Sequence, residues 1–117
     1  MSQLPNGGVP GVGPEEASKL VGEGAVLVDV REDYEWEAGH APMARHVLLG
    51  QLAEELDDLP TDKQLVVVCR AGSRSARATA LLLESGFDAT NLEGGMNAWL
   101  AAGLPVEADD GSPGVVA

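Results

Sequence analysis

The chain has 117 residues, 44% hydrophobic and 22% charged, which accommodates one compact globular domain. Nineteen acidic residues against seven Lys and Arg give a formal net charge of −12, which excludes nucleic acid and anionic membranes as partners, since both are bound through basic side chains meeting phosphates. No apolar run approaches the roughly 20 residues of a membrane span, and the start, Met1 to Gly8, lacks the basic and apolar segments of a secretory signal, so a cytoplasmic location is expected.

Residues 1–8 and 107–117 are rich in Gly, Pro and Asp and poor in apolar content. This predicts a disordered N-terminal segment and a disordered acidic tail around a domain spanning 9–106. A strand is expected at Val9 to Val12. Pro14 opens a helix to Val21, with Glu15 and Glu16 in its first turn and Gly22 and Gly24 as its stop. Ala25 to Val28 is a short unbroken apolar run, predicting a strand buried on both faces of a parallel sheet. A strand at His46 to Leu48 and a helix at Gln51 to Leu59 follow. Leu65 to Val68 is a second apolar run of the same kind. Good helix formers from Ser75 to Ser85 predict a helix that Gly86 ends. A last strand at Ala89 to Leu92 and a helix at Met96 to Ala102 complete an alternation that defines an α/β layered domain.

Both apolar runs end in polar chemistry: Asp29 and Arg31 after the first, Cys69 and Arg70 after the second. In open α/β sheets the carboxyl ends of strands are where ligands bind. Cys69 is the single cysteine, which excludes an internal disulfide, and neither Cys-X-X-Cys nor His-X-X-X-His spacing occurs, so no metal site is expected. Three of the seven basic residues, Arg70, Arg74 and Arg77, lie within eight consecutive positions beside that cysteine.

A cysteine after an apolar strand is by default a small buried hydrophobe. The loop Cys69-Arg70-Ala71-Gly72-Ser73-Arg74-Ser75 reverses that reading. A thiol is a nucleophile only as thiolate, and its usual pKa near 8.5 leaves it protonated at neutral pH. Here the amides of a helix start would point back at the sulfur, with two guanidinium groups nearby. Ala71, Gly72 and Ser73 are small enough to wrap one anionic atom. Arg70 and Arg74 would grip the oxyanion groups of a donor, for which the planar fork of Arg suits better than Lys. The donor expected is a small sulfur-bearing anion.

With Asp29-Val30-Arg31-Glu32, Glu35 and Gly39-His40-Ala41-Pro42, with Cys69-Arg70-Ala71-Gly72-Ser73-Arg74, and with Leu92-Glu93-Gly94-Gly95-Met96, Trp99 and Gly103-Leu104-Pro105, the chain resembles the rhodanese family of sulfurtransferases over nearly the whole domain. The resemblance implies an α/β fold, an open parallel sheet of about five strands flanked by helices on both faces. It also implies a two-step transfer in which Cys69 carries a persulfide from thiosulfate to a thiophilic acceptor. Amides of Arg70 to Ser75 would hold the persulfide, Arg70 and Arg74 would position thiosulfate, and Asp29 and Arg31 would support the loop from within. No cofactor is implied beyond the persulfide itself. Met43 stands where family members often have Gly, which concerns the turn at Gly39 to Ala44 and not the cysteine loop.

His40 and His46 carry no partner motif, and a thiolate with a lowered pKa needs no general base, so both read as structural. Arg77, one helical turn beyond Arg74, reads as solvated or ion-paired. Two other functions compete. A cysteine phosphatase also sets thiolate and arginine in one loop, yet its Cys-X5-Arg spacing would put the arginine at Ser75, one position after Arg74. A non-catalytic sulfur-carrying or docking module would share the fold without the chemistry. With no second cysteine to resolve a persulfide, the sulfur must leave to an outside acceptor such as cyanide, a thiol or a thioredoxin-like protein.

Overall fold

The computed structural model describes residues 8–117, so the expected disordered segment, 1–8, lies outside the described residues except for Gly8. Elements follow in the order β1 (Gly11–Val12), α1 (Pro14–Gly22), β2 (Val26–Asp29), α2 (Asp33–Ala38), β3 (Arg45–His46), two 3₁₀ turns (Leu49–Glu54 and Leu56–Asp58), β4 (Leu65–Val68), α3 (Ser73–Glu84), β5 (Ala89–Leu92) and α4 (Gly95–Ala101). All five strands run parallel in the order β1-β5-β4-β2-β3. No helix among the described residues is long and apolar enough to cross a membrane.

The two apolar runs form the centre of the sheet, paired from Val26 opposite Leu65 to Asp29 opposite Val68. Successive side chains of a strand point to opposite faces, and the core divides accordingly. Val28, Leu65 and Val67 pack with Ala78 and Leu82 of α3 and with Leu52 of the first 3₁₀ turn. Leu27, Val66 and Val68 pack on the other face with Ala17 of α1 and Met96 and Trp99 of α4. Each such side chain, fully buried, contributes about 1.5–3 kcal/mol relative to exposure, so a covered sheet face on each side is what lets β2 and β4 be apolar throughout. Their carboxyl ends therefore stand side by side at one edge of the domain.

Three segments depart from expectation. Leu49 to Asp58 forms two short 3₁₀ turns instead of one α-helix; Glu54, Glu55, Asp57 and Asp58 would repel one another at helical i,i+3 and i,i+4 spacing, while buried Leu52 and Leu59 still pin the stretch to the core. Helix α2 was not expected at all. It is six residues long and is started by a capping box, Glu32 and Glu35 each accepting from the other's backbone N–H. Residues 107–117, expected as a disordered tail, lie along α2. Glu107 and His40 exchange backbone hydrogen bonds (2.9 and 3.0 Å), and the amides of Asp109 and Val115 donate to the carbonyls of Glu37 and Ala38. Composition missed this because backbone hydrogen bonds, more than apolar side chains, make the contact.

Candidate active site

Cys69 follows directly on β4 and is 1% exposed. Only Arg70, Ala71 and Gly72 separate it from α3, which starts two residues earlier than predicted, at Ser73. Gly72 makes the tight turn possible: its φ of +116° lies in the left-handed region that side-chain-bearing residues rarely adopt. The Gly72 amide donates to Cys69 Sγ at 3.1 Å and the Ser75 hydroxyl reaches the same sulfur at 3.3 Å. The Ser75 hydroxyl also lies 3.2 Å from the Gly72 carbonyl. Its one proton serves the better acceptor, and a thiolate is the better acceptor. The Gly72 carbonyl is in turn fixed by Asn91 Nδ2 at 3.1 Å and by the Ala76 amide at 3.1 Å.

Helix α4 holds the loop from behind. Its first-turn amides, Met96 and Asn97, donate to the carbonyls of Cys69 (2.8 Å) and Arg70 (3.0 Å), satisfying donors that a helix start otherwise leaves without partners. Because C=O and N–H of a trans peptide point in opposite directions, anchoring the Arg70 carbonyl on α4 turns the Ala71 N–H the other way, into the loop. Gly95 is required for this approach: a Cβ there would lie 2.5 Å from both carbonyl oxygens. The double glycine after Leu92-Glu93 thus has a mechanical meaning.

Burial pushes the Cys69 thiol's pKa up, but the Ser75 hydroxyl and the amides of Ser75, Gly72 and Ala71 outweigh it, and the net shift is downward. Hydrogen-bond donors dominate this lowering. The Arg74 guanidinium also interacts with Cys69 through its charge, behind the hydrogen-bond donors.

The arginines occupy different settings. Arg74 clamps the Glu35 carboxylate with both guanidinium nitrogens, Nη1 to Oε1 at 2.7 Å and Nη2 to Oε2 at 2.9 Å. Glu35 is buried, and its Oε1 also accepts from the Glu32 amide at 3.0 Å. The hydrogen bond from Arg74 holds the Glu35 carboxyl below its ordinary pKa despite burial, and Glu35 raises that of Arg74. Arg74 therefore ties α3 to α2 with the fork that was expected to grip a donor. Arg70 is exposed at the rim of the loop and Arg77 is exposed on α3; neither forms an ion pair among the described residues.

Asp29 and Arg31, both fully buried, form an ion pair at the end of β2. Arg31 Nε and Nη2 donate to the two carboxylate oxygens at 2.9 and 2.8 Å, and Nη2 also donates to the Gly39 carbonyl at 2.7 Å. The pair does not bond the cysteine loop. It fixes the far end of α2, and so Glu35, which holds Arg74. Glu35 is the residue whose part in the site the sequence left unassigned; the Glu32-X-X-Glu35 spacing of a capping box was the available signal. His40 and His46 stand away from the sulfur, stacked on the two sides of Trp36 with ring centroids 3.7 and 4.7 Å from the indole.

A lone thiol in a donor-lined loop, at the carboxyl end of a central strand of an open parallel sheet, defines a class of α/β domains whose site lies at the strand ends. Within that class the chain belongs to the rhodanese-like domain family, whose model matches residues 13–102. It is 40% identical over 87 residues to the thiosulfate sulfurtransferase GlpE of Pseudomonas syringae pv. syringae, covering 74% of this chain and 82% of that one. It is 36% identical over 90 residues to a sulfurtransferase of Allochromatium vinosum, covering 76% and 84%. Among solved structures, a rhodanese-related protein from Thermoplasma volcanium superposes with a TM-score of 0.78 at 28% identity, covering 83% of this chain and 96% of that one. A thiosulfate sulfurtransferase from Pseudomonas aeruginosa superposes with the same TM-score at 30% identity, covering 89% of this chain and 20% of that one.

Proposed function

We propose that the protein is a thiosulfate sulfurtransferase working through a persulfide on Cys69. The observation that carries the reading is the sulfur's own environment: an amide at 3.1 Å and a hydroxyl at 3.3 Å, in a loop that lowers the thiol's pKa. In the first step the Cys69 thiolate attacks the outer sulfur of thiosulfate, the S–S bond of thiosulfate breaks, and sulfite leaves with the electron pair. The outer sulfur, now bonded to Sγ, takes over the loop's donors. In the second step an acceptor thiolate or cyanide attacks that outer sulfur and Cys69 leaves as thiolate, ready for another cycle.

Arg70, exposed at the loop rim, meets the sulfonate oxygens of the incoming donor. Arg74 remains charged beside Glu35 and contributes to the positive field at the loop while holding α2 and α3 in register. A reducing, cytoplasmic setting suits a working single thiol.

Intact mass after incubation with thiosulfate tests the reading. The wild type gains one sulfur and releases sulfite in equal amount, and Cys69→Ser gains none. Absence of any gain in the wild type would leave a docking module, and hydrolysis of an aryl phosphate without sulfur gain would leave a phosphatase.

A further inference from the structure

Beside the loop lies a cleft of about 620 Å³ that donor binding at Arg70 leaves unused. One wall is the loop itself, Ala71, Gly72 and Ser73. The other is Val9 with Ala76 and Ala80 of α3, and Arg77 is the one charged group among the described lining residues. Ser73, Ala76, Arg77 and Ala80 fall at i, i+3, i+4 and i+7, a single stripe of the helix, whereas Arg74 reaches Glu35 of α2. Cys69 is not among the described lining residues, but the cleft borders the cysteine loop at Gly72, whose amide holds Cys69 Sγ.

The chemistry of this lining is specific. Its side chains are methyl groups, one isopropyl group and one hydroxyl, with a guanidinium that forms no ion pair among the described residues, on a molecule of net charge −12. Thiosulfate, a compact and wholly polar dianion, gains nothing from alanine and valine walls. A volume within the range of about 300–1,000 Å³ typical of small-molecule sites fits something larger, with an apolar body and an anionic end.

We propose that this cleft seats the sulfur acceptor, a small thiol with a mainly apolar body and a carboxylate that Arg77 binds. The assignment rests on the sulfur-transfer reading and specifies its second half. The acceptor thiolate attacks the outer sulfur of the protonated Cys69 persulfide, the Sγ–S bond breaks, the acceptor leaves as a hydropersulfide carrying the proton, and Cys69 departs as thiolate with the electron pair. Arg77 touches the acceptor's far end and not the reacting atoms, so its effect falls on acceptor choice.

The test separates the two half-reactions. Protein is loaded with thiosulfate, desalted, and mixed with 3-mercaptopropionate, 2-mercaptoethanol or cysteamine, thiols of similar size bearing negative, no and positive charge. Discharge is followed by intact mass. Comparing wild type with Arg77→Gln for each thiol cancels the thiols' differing nucleophilicity. Arg77→Gln is expected to slow discharge by 3-mercaptopropionate about fivefold, the scale of one partly solvated charge contact, while the other two rates change less than twofold, and Arg77→Glu is expected to shift the preference toward cysteamine. Equal slowing of all three thiols, or unchanged proportions, would overturn the assignment. Failure of Arg77→Gln to load would place Arg77 on the donor and overturn it too. Failure of the wild type to load would instead remove the sulfur-transfer reading, and this inference with it.

Discussion

The ends of β2 and β4 lie side by side in one sheet, and each carries a charged or ionisable group out of an apolar strand. At the end of β2, Asp29 meets Arg31 at 2.8 Å with both side chains fully buried. The two charges cancel and Arg31 also ties to the Gly39 carbonyl, while its Nη1 is buried without a hydrogen-bond partner among the described residues. At the end of β4, Cys69 meets donors only, with no cation bonded to the sulfur. Those donors favour the sulfur's anionic form, and the thiol's pKa is shifted downward. Two adjacent positions with the same topological advantage differ because one group meets an opposite charge and the other meets hydrogen-bond donors.

The largest effect that sharpens this contrast is Cys69→Ser, expected to abolish sulfur gain from thiosulfate while leaving the unfolding midpoint within a small margin of wild type. A residual gain would put the sulfur elsewhere. Next is Arg31→Met, which leaves Asp29 buried without its partner and is expected to cost about 3–5 kcal/mol in urea unfolding at pH 7. Because Arg31 does not bond the loop, the pH midpoint of Cys69 alkylation should stay close to wild type in that variant. A large shift in the midpoint would erase the distinction between the two strand ends.

Ser75→Ala is expected to change stability by about 1 kcal/mol, the scale of one hydrogen bond. It should also move the Cys69 alkylation midpoint upward, since the hydroxyl is the strongest of the groups that lower it. The smallest effect concerns Glu35. Its folded pKa lies below the ordinary 4.5, chiefly through Arg74, so the unfolded state takes up the proton first as pH falls. The stability contributed by the pair is therefore fully present above about pH 4.5 and is lost as pH drops through the lower folded value. In a pH series of urea midpoints, Glu35→Gln should flatten that acid limb by about 1 kcal/mol or less, given the partial exposure of Arg74.

Much of this was legible in the sequence where one signal dominated. Leu65 to Val68 could only be a strand covered on both faces, and Cys69 after it could only stand at the strand's carboxyl end. Two such runs marked the central strands, and the sheet of about five strands came with the resemblance to the rhodanese family. Helix α2 escaped because six residues give too little periodicity, and its start is a carboxylate capping box in place of the usual Ser or Thr. With α2 unseen, the partner of Arg74 was invisible, and a fork that looked free for a donor proved bonded to Glu35. The arginine that looked idle, Arg77, lines a cleft instead. Side-chain commitment between elements far apart in the chain is a property of packing, and spacing along the chain does not record it.

Hydrogen-bond donors in the loop hold the Cys69 thiol below its ordinary pKa. The most direct measurement is the pH dependence of iodoacetamide alkylation, read without ambiguity because Cys69 is the one cysteine of the chain. The account predicts a midpoint below that of a free thiol in the wild type, rising when Ser75 is replaced by Ala. A wild-type midpoint at or above the free-thiol value would contradict it.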